Sequence, residues 1–368
     1  MVKPLKYSLL TIIASLFLTN INLFAVNDHK RDLINYKINL HAGTVLPHHE
    51  TLIYLNNEYV RSLEVAAWFN NKSIENTYNT ILGAGYFFSG LGNKEVYGNF
   101  HALYFGMLNP VLSNVLPVQF KVGVGAAYAC KTFDLENNYL NRAIGSHINA
   151  YGQLSLTGNV PLFNNKILFR PGISFHHISN GAAVAPNQGL NLLTVSAGIE
   201  FDLGQKHSGS FVLHRDSTEF ARNRFSAVYA AGFKQVDRRV DKQIFTSSLL
   251  LEYGYMFKSG RSLGIGVGFF YNDTWAYIPY TRTEKDKALL PFQSALHLSL
   301  QREKGPLEFF LHPGVYIFNP AKDWPYMTNR LGLRYRTADN ITFQFSIKSH
   351  WLAIADYFEW GIGYQFRR

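Results

Sequence analysis

Cysteine is almost absent: the 368 residues contain one, Cys130. A single thiol cannot close an internal disulfide, and its distance from the N-terminus leaves no lipoprotein-type anchor. Charged side chains are scarce at 16%, too few for an ordinary soluble domain of this length. Long hydrophobic runs are scarce too. One lies near the N-terminus and no second helix-type span follows it, which excludes a bundle of transmembrane helices. The formal net charge of +10 is not gathered into a basic run or recognition motif, so nucleic acid is not the expected partner. An exported basic surface suits phosphorylated or anionic lipid instead.

The single apolar run, Leu9 to Phe24, is preceded by Lys3 and Lys6 and followed by the small Ala25. That order is the one of an export signal, so residues 1–25 are expected to be a signal peptide and the mature chain to begin near Val26. Asn20 and Asn22 interrupt the run and argue against a retained membrane helix.

Hydrophobic residues nevertheless make up 47% and aromatic residues 15% of the chain, while the mean hydropathy is close to zero. Strands that show lipid one face and water the other reconcile the two, because alternation cancels in the average. Ile341, Phe343, Phe345 and Ile347 alternate with Thr342, Gln344, Ser346 and Lys348. Leu249, Leu251, Tyr253, Tyr255 and Phe257 are set against Ser248, Glu252 and Gly254, and Leu331, Leu333 and Tyr335 against Gly332, Arg334 and Arg336. A soluble β-sandwich also alternates, but not in strands of about ten residues along nearly the whole chain. The expected fold class is all-β: a transmembrane antiparallel up-and-down β-barrel of about 14 to 16 strands, one domain over residues 26–368, with both termini in the periplasm. Short polar turns such as Lys258–Arg261, Arg302–Gly305 and Thr337–Asn340 alternate with longer connections, as periplasmic turns alternate with outer loops. The connection from Gly204 to Arg222 is long yet falls on the periplasmic side, leaving room for an extra strand or a short helix.

Chemistry concentrates in Phe175-His176-His177-Ile178-Ser179-Asn180-Gly181. Residues i and i+2 of a strand share a face, so His177 continues the apolar row of Ile167, Phe169, Ile173 and Phe175, and Ser179 follows if the extended run continues. A base and a hydroxyl nucleophile then sit together on the lipid face, where an ester of a membrane lipid would meet them. His176, Arg170 and Arg334 are expected in the lumen. On the following strand Asn191 begins the apolar row of Leu193, Val195, Ala197, Ile199 and Phe201. Glu200 is the obvious acid by inspection, but it lies about 30 Å down the strand from Asn191 and faces the lumen. Asn191 is therefore the partner expected for His177.

With the following Pro186-Asn187-Gln188-Gly189 loop and a strand beyond it, His177-Ile178-Ser179-Asn180 resembles the signature of the lipid A 3-O-deacylases (PagL) over about thirty residues. That family folds as eight-stranded outer-membrane barrels. The resemblance implies that Ser179 attacks an acyl ester of lipid A, His177 is general base, and Asn180 helps to hold the oxyanion, with no cofactor and no metal. The family's orienting glutamate falls on Asn191, and Gly181-Ala182 stands where the family tends to have alanine then glycine. The length is roughly twice the family's, as in longer acyloxyacyl hydrolases of the same group. Replacing the acid of a serine triad by an amide can cost about 10⁴ in kcat, yet papain-like proteases use asparagine as third member.

A second polar cluster pairs His48, His49 and Glu50 with His350, Asp356 and Glu359 through closure of the barrel. It is expected far from His177, as a solvated rim that could also hold a divalent metal or contact lipid phosphate. The expected function is that of an outer-membrane serine esterase acting on lipid A or a related lipopolysaccharide lipid of the outer leaflet, as an integral membrane protein. The alternative is a non-enzymatic channel or structural barrel with a degenerate site.

Overall fold

The computed structural model describes residues 33–70, 81–110, 118–163, 167–202, 222–237, 242–257, 260–277, 288–304, 306–320, 326–350 and 354–368. The expected signal peptide and nearly all of the Gly204–Arg222 connection lie outside the described residues.

Two closed antiparallel barrels stand where a single one of 14 to 16 strands was expected. The first is built from β1 (Leu33–Leu46), β2 (Val60–Asn70), β3 (Ile81–Gly90), β4 (Asn99–Pro110), β5 (Val118–Ala129), β6 (Ile148–Gly158), β7 (Val160–Leu162), β8 (Ile167–Ser179) and β9 (Leu190–Asp202). The short β7 follows β6 along the edge of β8, so the ring has eight staves. It closes where β1 meets β9, in register from Asn35↔Asp202 to Leu46↔Asn191. The second barrel comprises β10 (Asn223–Lys234), β11 (Ile244–Met256), β12 (Arg261–Asn272), β13 (Phe292–Lys304), β14 (Leu307–Phe318), β15 (Met327–Arg336), β16 (Ile341–His350) and β17 (Ile354–Arg367). It closes where β10 meets β17. Alternation and hairpin rhythm are the same in one large barrel or two small ones, because both are properties of neighbouring strands. Closure depends on which edge β9 pairs with, a contact between segments about 160 residues apart.

The apolar rows face outward as expected. Leu249, Leu251 and Tyr253 are exposed while Ser248 and Glu252 are buried, and Ile341 and Phe343 are exposed against buried Thr342, Gln344 and Lys348. An eight-stranded ring has an interior just wide enough for side chains. In the first barrel Glu64 receives Lys121 and the Tyr104 hydroxyl, with His41 Nε2 at 3.4 Å, and Arg170 meets Glu200 at 2.7 Å. In the second, Arg334 bonds both oxygens of Glu252 at 2.7 and 2.9 Å, Arg224 meets Glu308 at 2.8 Å, Arg330 meets Glu359, and Lys348 meets Asp356 at 2.7 Å. Burying these charges is tolerable because each has an opposite partner. Side chains paired across the lumen in this way weigh against the channel alternative.

The ends of the barrels differ. At one end of the first, the segments after β1, β3, β5 and β8 bond to one another. Glu58 N–H donates to Gly92 O, Asn93 Nδ2 to Leu55 O, Asn141 Nδ2 to Val96 O and Gly189 N–H to Ala143 O. Beneath them Leu52, from the short helix α1 (Glu50–Leu55), packs with Val96, Tyr97, Ile144, Ile178 and Leu190 into a buried apolar layer. The sequence leaves room for a short helix elsewhere, in the Gly204–Arg222 connection; one at Glu50–Leu55 is not expected, since six residues carry no readable period.

Candidate active site

His177 and Ser179 end β8 at this looped rim. His177 lies directly opposite Asn191 in the β8–β9 ladder, and opposite residues share a face. His177 Nδ1 is 2.7 Å from Asn191 Oδ1. His176 turns into the lumen, fully buried, where it stacks on Phe87 and meets the Tyr151 hydroxyl at 2.8 Å. Gly189, at φ +71°, closes the loop back onto the pair. A Cβ there would sit 3.2 Å from His177 Cε1 and 3.4 Å from Ser179 Cβ, so glycine keeps the space beside both residues clear.

The Ser179 hydroxyl receives two donors and itself donates to Asn187 Oδ1 at 3.3 Å. Gly181 N–H donates to Oγ at 3.1 Å and Asn187 Nδ2 at 2.9 Å. The orientation of the Asn187 amide is fixed because its Oδ1 accepts the Asn180 N–H at 3.0 Å. Asn180 itself sends Nδ2 elsewhere, to Ser146 Oγ at 3.0 Å and Val184 O at 2.8 Å. Its side chain holds the loop, and the amide that reaches the serine is that of Asn187. Asn187 stands in the Pro186–Gly189 loop with no role expected of it, because it lies eight residues beyond Ser179, too far for strand parity to place it.

The position expected for His48 is corrected by the closure of the first barrel. Pairing of Leu46 with Asn191 brings the residues after β1 beside the site rather than far from it. His48 Nδ1 lies 3.2 Å from Asn191 Nδ2 and His48 Nε2 lies 2.8 Å from Gln188 O. Thr51 Oγ1 adds a bond to Gln188 Oε1 at 3.1 Å. The His49 ring lies tilted against that of His48, ring centres 4.9 Å apart, and burial, then the neighbouring His48, lowers its pKa below the usual imidazole value. The expected partners His350, Asp356 and Glu359 belong to the second barrel, where His350 Nε2 is 3.0 Å from Asp356 Oδ2. Glu252, His297 and His312 could bring ligating atoms within 4.8 Å of one another, but the Arg334 guanidinium already occupies the Glu252 carboxylate.

The second barrel touches the loop of the site. Gln235, just past β10, donates its N–H to Ala182 O at 3.0 Å and accepts the Ala185 N–H on Oε1 at 2.9 Å. Gln243 Nε2 donates to Ala183 O at 2.6 Å. Phe358 of β17 packs on Gly181, where a Cβ would fall 2.3 Å from the ring. Gly181 and Ala182 both have positive φ, +61° and +63°, so the chain here turns sharply against the outer wall of the second barrel.

Residues 62–200 match the family model for lipid A 3-O-deacylase (PagL), and residues 223–368 match the model for the C-terminal domain of acyloxyacyl hydrolase. The chain belongs to the PagL family. Each model falls within one of the two barrels. Family membership and the apolar outer faces place the protein in the bacterial outer membrane, as a member of a group of lipid A deacylase-type hydrolases. No curated protein matches the chain. Solved structures with similarity include Neisserial surface protein A, 11% identical over 46% of this chain and 96% of that one, with a TM-score of 0.31. A Rh. blastica porin mutant is 11% identical over 91% of this chain and all of its own, TM-score 0.17. CdiB from Acinetobacter baumannii is 9% identical over 90% of this chain and 60% of its own, TM-score 0.20. Scores this low add nothing to the topology described above.

Proposed function

We propose that the protein hydrolyses an acyl ester of lipid A, or of a closely related lipopolysaccharide lipid, in the outer leaflet, with Ser179 as nucleophile and His177 as general base. The observation that carries this reading is the convergence on one hydroxyl: two N–H donors, from Gly181 and Asn187, point at Ser179 Oγ, and an imidazole anchored through Nδ1 stands on the same lipid-facing side.

In the mechanism, His177 holds its Nδ1 proton against Asn191 Oδ1 and leaves Nε2 free to accept a proton. The Ser179 hydroxyl turns from Asn187 toward Nε2 as the ester enters; catalytic hydrogen bonds often form only with substrate bound. Oγ then attacks the ester carbonyl while Nε2 takes its proton. The developing oxyanion takes over the Gly181 N–H and Asn187 Nδ2 donors that the resting structure directs at Oγ. His177 returns the proton to the departing sugar hydroxyl. Water, activated by the same imidazole, then releases the fatty acid and restores the serine. Asn191 neutralises no charge on the imidazolium, so its contribution is orientation. The role proposed for Asn180 is accordingly to shape the loop and to fix the Asn187 amide through its main-chain N–H.

Mass spectrometry of lipid A from cells producing the protein or its Ser179→Ala variant tests the reading. The expected result is lipid A one acyl chain lighter with the native protein and unchanged with the variant. Identical acylation patterns, with both proteins folded and inserted, would overturn it.

A further inference from the structure

The role of Asn191 depends on an ambiguity that a carboxylate does not have. Either oxygen of a carboxylate can accept the imidazole N–H. An amide can accept through Oδ1 or donate through Nδ2, and only the first leaves His177 with a bare Nε2. Donation from Nδ2 to His177 Nδ1 would move the ring proton to Nε2, the tautomer that cannot take a proton from serine. Something must hold the amide one way round.

His48 has the bonds to do so. Its Nε2 meets the Gln188 carbonyl at 2.8 Å, and a carbonyl only accepts, so Nε2 carries the proton. Neutral His48 therefore presents a lone pair on Nδ1. That atom faces Asn191 Nδ2 at 3.2 Å, and the amide donates to it. With Nδ2 committed to His48, Oδ1 is the atom left to face His177, as found at 2.7 Å. The proton positions from Gln188 O through His48 and Asn191 to His177 thus follow from a single fixed acceptor.

We infer that His48 is a positioning residue that locks the Asn191 amide and thereby sets the catalytic tautomer of His177, allowing an asparagine to serve where a carboxylate would need no such help. This rests on the reading of His177 and Ser179 as the reacting pair. Two features of the fold deliver His48: the β1–β9 closure, and the bond from Thr51 Oγ1 to the Gln188 side chain, which ties α1 to the loop of the site.

Steady-state kinetics on the purified full-length protein, with lipid A in mixed micelles, tests it with four variants. His48→Ala removes one orienting hydrogen bond and should lower kcat about tenfold with KM little changed. His48→Gln keeps an acceptor for Asn191 and a donor for Gln188, and should restore kcat to within about twofold of native. Asn191→Asp removes the need for orientation, so adding His48→Ala to it should change kcat by less than about twofold. Equal losses from His48→Ala in both backgrounds, or a rise in KM alone, would overturn the inference; the latter is the behaviour of a residue that only binds lipid phosphate. Nitrogen-15 spectra of histidine-labelled protein, with the signal assigned through a His177 variant, read the tautomer without any turnover. His177 should carry its proton on Nδ1 in the native protein and lose that preference in His48→Ala. An unchanged tautomer in His48→Ala sinks the role of His48. Native tautomer behaviour together with a Ser179→Ala lipid A pattern equal to native sinks only the hydrolase reading.

Discussion

The two barrels have the same number of staves and similarly paired interiors, but among the described residues they differ in the apolar side chains packed inside them. In the first, four connecting segments bond to one another over a continuous apolar layer that includes Leu52, Val96, Tyr97 and Ile144. In the second, the buried apolar cluster among the described residues is small, Val228, Leu250, Phe270 and Ala295, and lies on the strands beside carboxylates paired with arginines and lysines. The wall of a small barrel supplies parity and a rigid frame. A layered roof is needed as well, because the atoms around Ser179 come from loop main chain and from Asn187, which only a packed loop can aim. The second barrel adds to that roof from outside, through Gln235, Gln243 and Phe358.

If the second barrel is a frame and not a reaction centre, damage inside it should appear as lost stability and not as lost chemistry. Arg334→Met strips Glu252 of its principal cation while keeping much of the side-chain volume, and leaving a buried charge uncompensated costs roughly 3–5 kcal/mol. Urea-induced unfolding in lipid vesicles should show a loss of that order. Ester hydrolysis at temperatures where the variant is folded should stay near native. Adding Glu252→Gln removes the stranded charge and should recover most of the stability. Loss of turnover in the folded single variant would break the comparison.

Matched glycines sharpen it. Gly189 in the first barrel and Gly260 in the second have nearly the same φ, +71° and +72°, so the left-handed penalty of Gly→Ala is similar at both, of order 1–2 kcal/mol. At Gly189 the new methyl group also presses on His177 Cε1 and the Ile178 carbonyl, each 3.2 Å away. Displacing the base by a fraction of an ångström should lower kcat about a hundredfold. At Gly260 it falls 2.9 Å from the Glu303 carbonyl oxygen in the second barrel, which adds to the stability cost, and kcat of the folded variant should not change. Equal kinetic effects at the two positions would show that strain alone, not proximity to the imidazole, governs activity.

Much of this was legible from strand parity. The rows around Leu249, Leu331 and Ile341 read correctly, as did the outward turn of His177, the inward turn of His176 and the dismissal of Glu200, which is spent on Arg170 in the lumen. Parity failed where information leaves the strand. Closure of β9 on β1 is a choice between distant edges of equal character, so His48 was assigned to the wrong neighbourhood and one ring was expected in place of two. Asn187, for which no duty is expected, reaches Ser179 Oγ while the Asn180 side chain bonds within the loop, because a loop has no period. Which amide reaches Oγ depends on φ at Gly181 and Ala182, and an alanine at φ +63° is not written in its side chain.

The smallest expected effect bears most directly on why the two barrels are one protein. Gln235 Oε1 accepts the Ala185 N–H, and its own N–H holds Ala182 O; Gly181, whose N–H faces Ser179 Oγ, is the next residue back. Gln235→Ala removes the first bond and spares the second, so the loop should lose one hydrogen bond, about 1 kcal/mol, and kcat should fall roughly fivefold with the unfolding midpoint almost unmoved. Gln235→Glu preserves the acceptor and should keep most of the activity. If Gln235→Ala leaves kcat at the native value, the second barrel merely adjoins the site. If kcat falls and the glutamate restores it, the second barrel acts as the outer brace of an oxyanion loop that the first barrel alone leaves half supported.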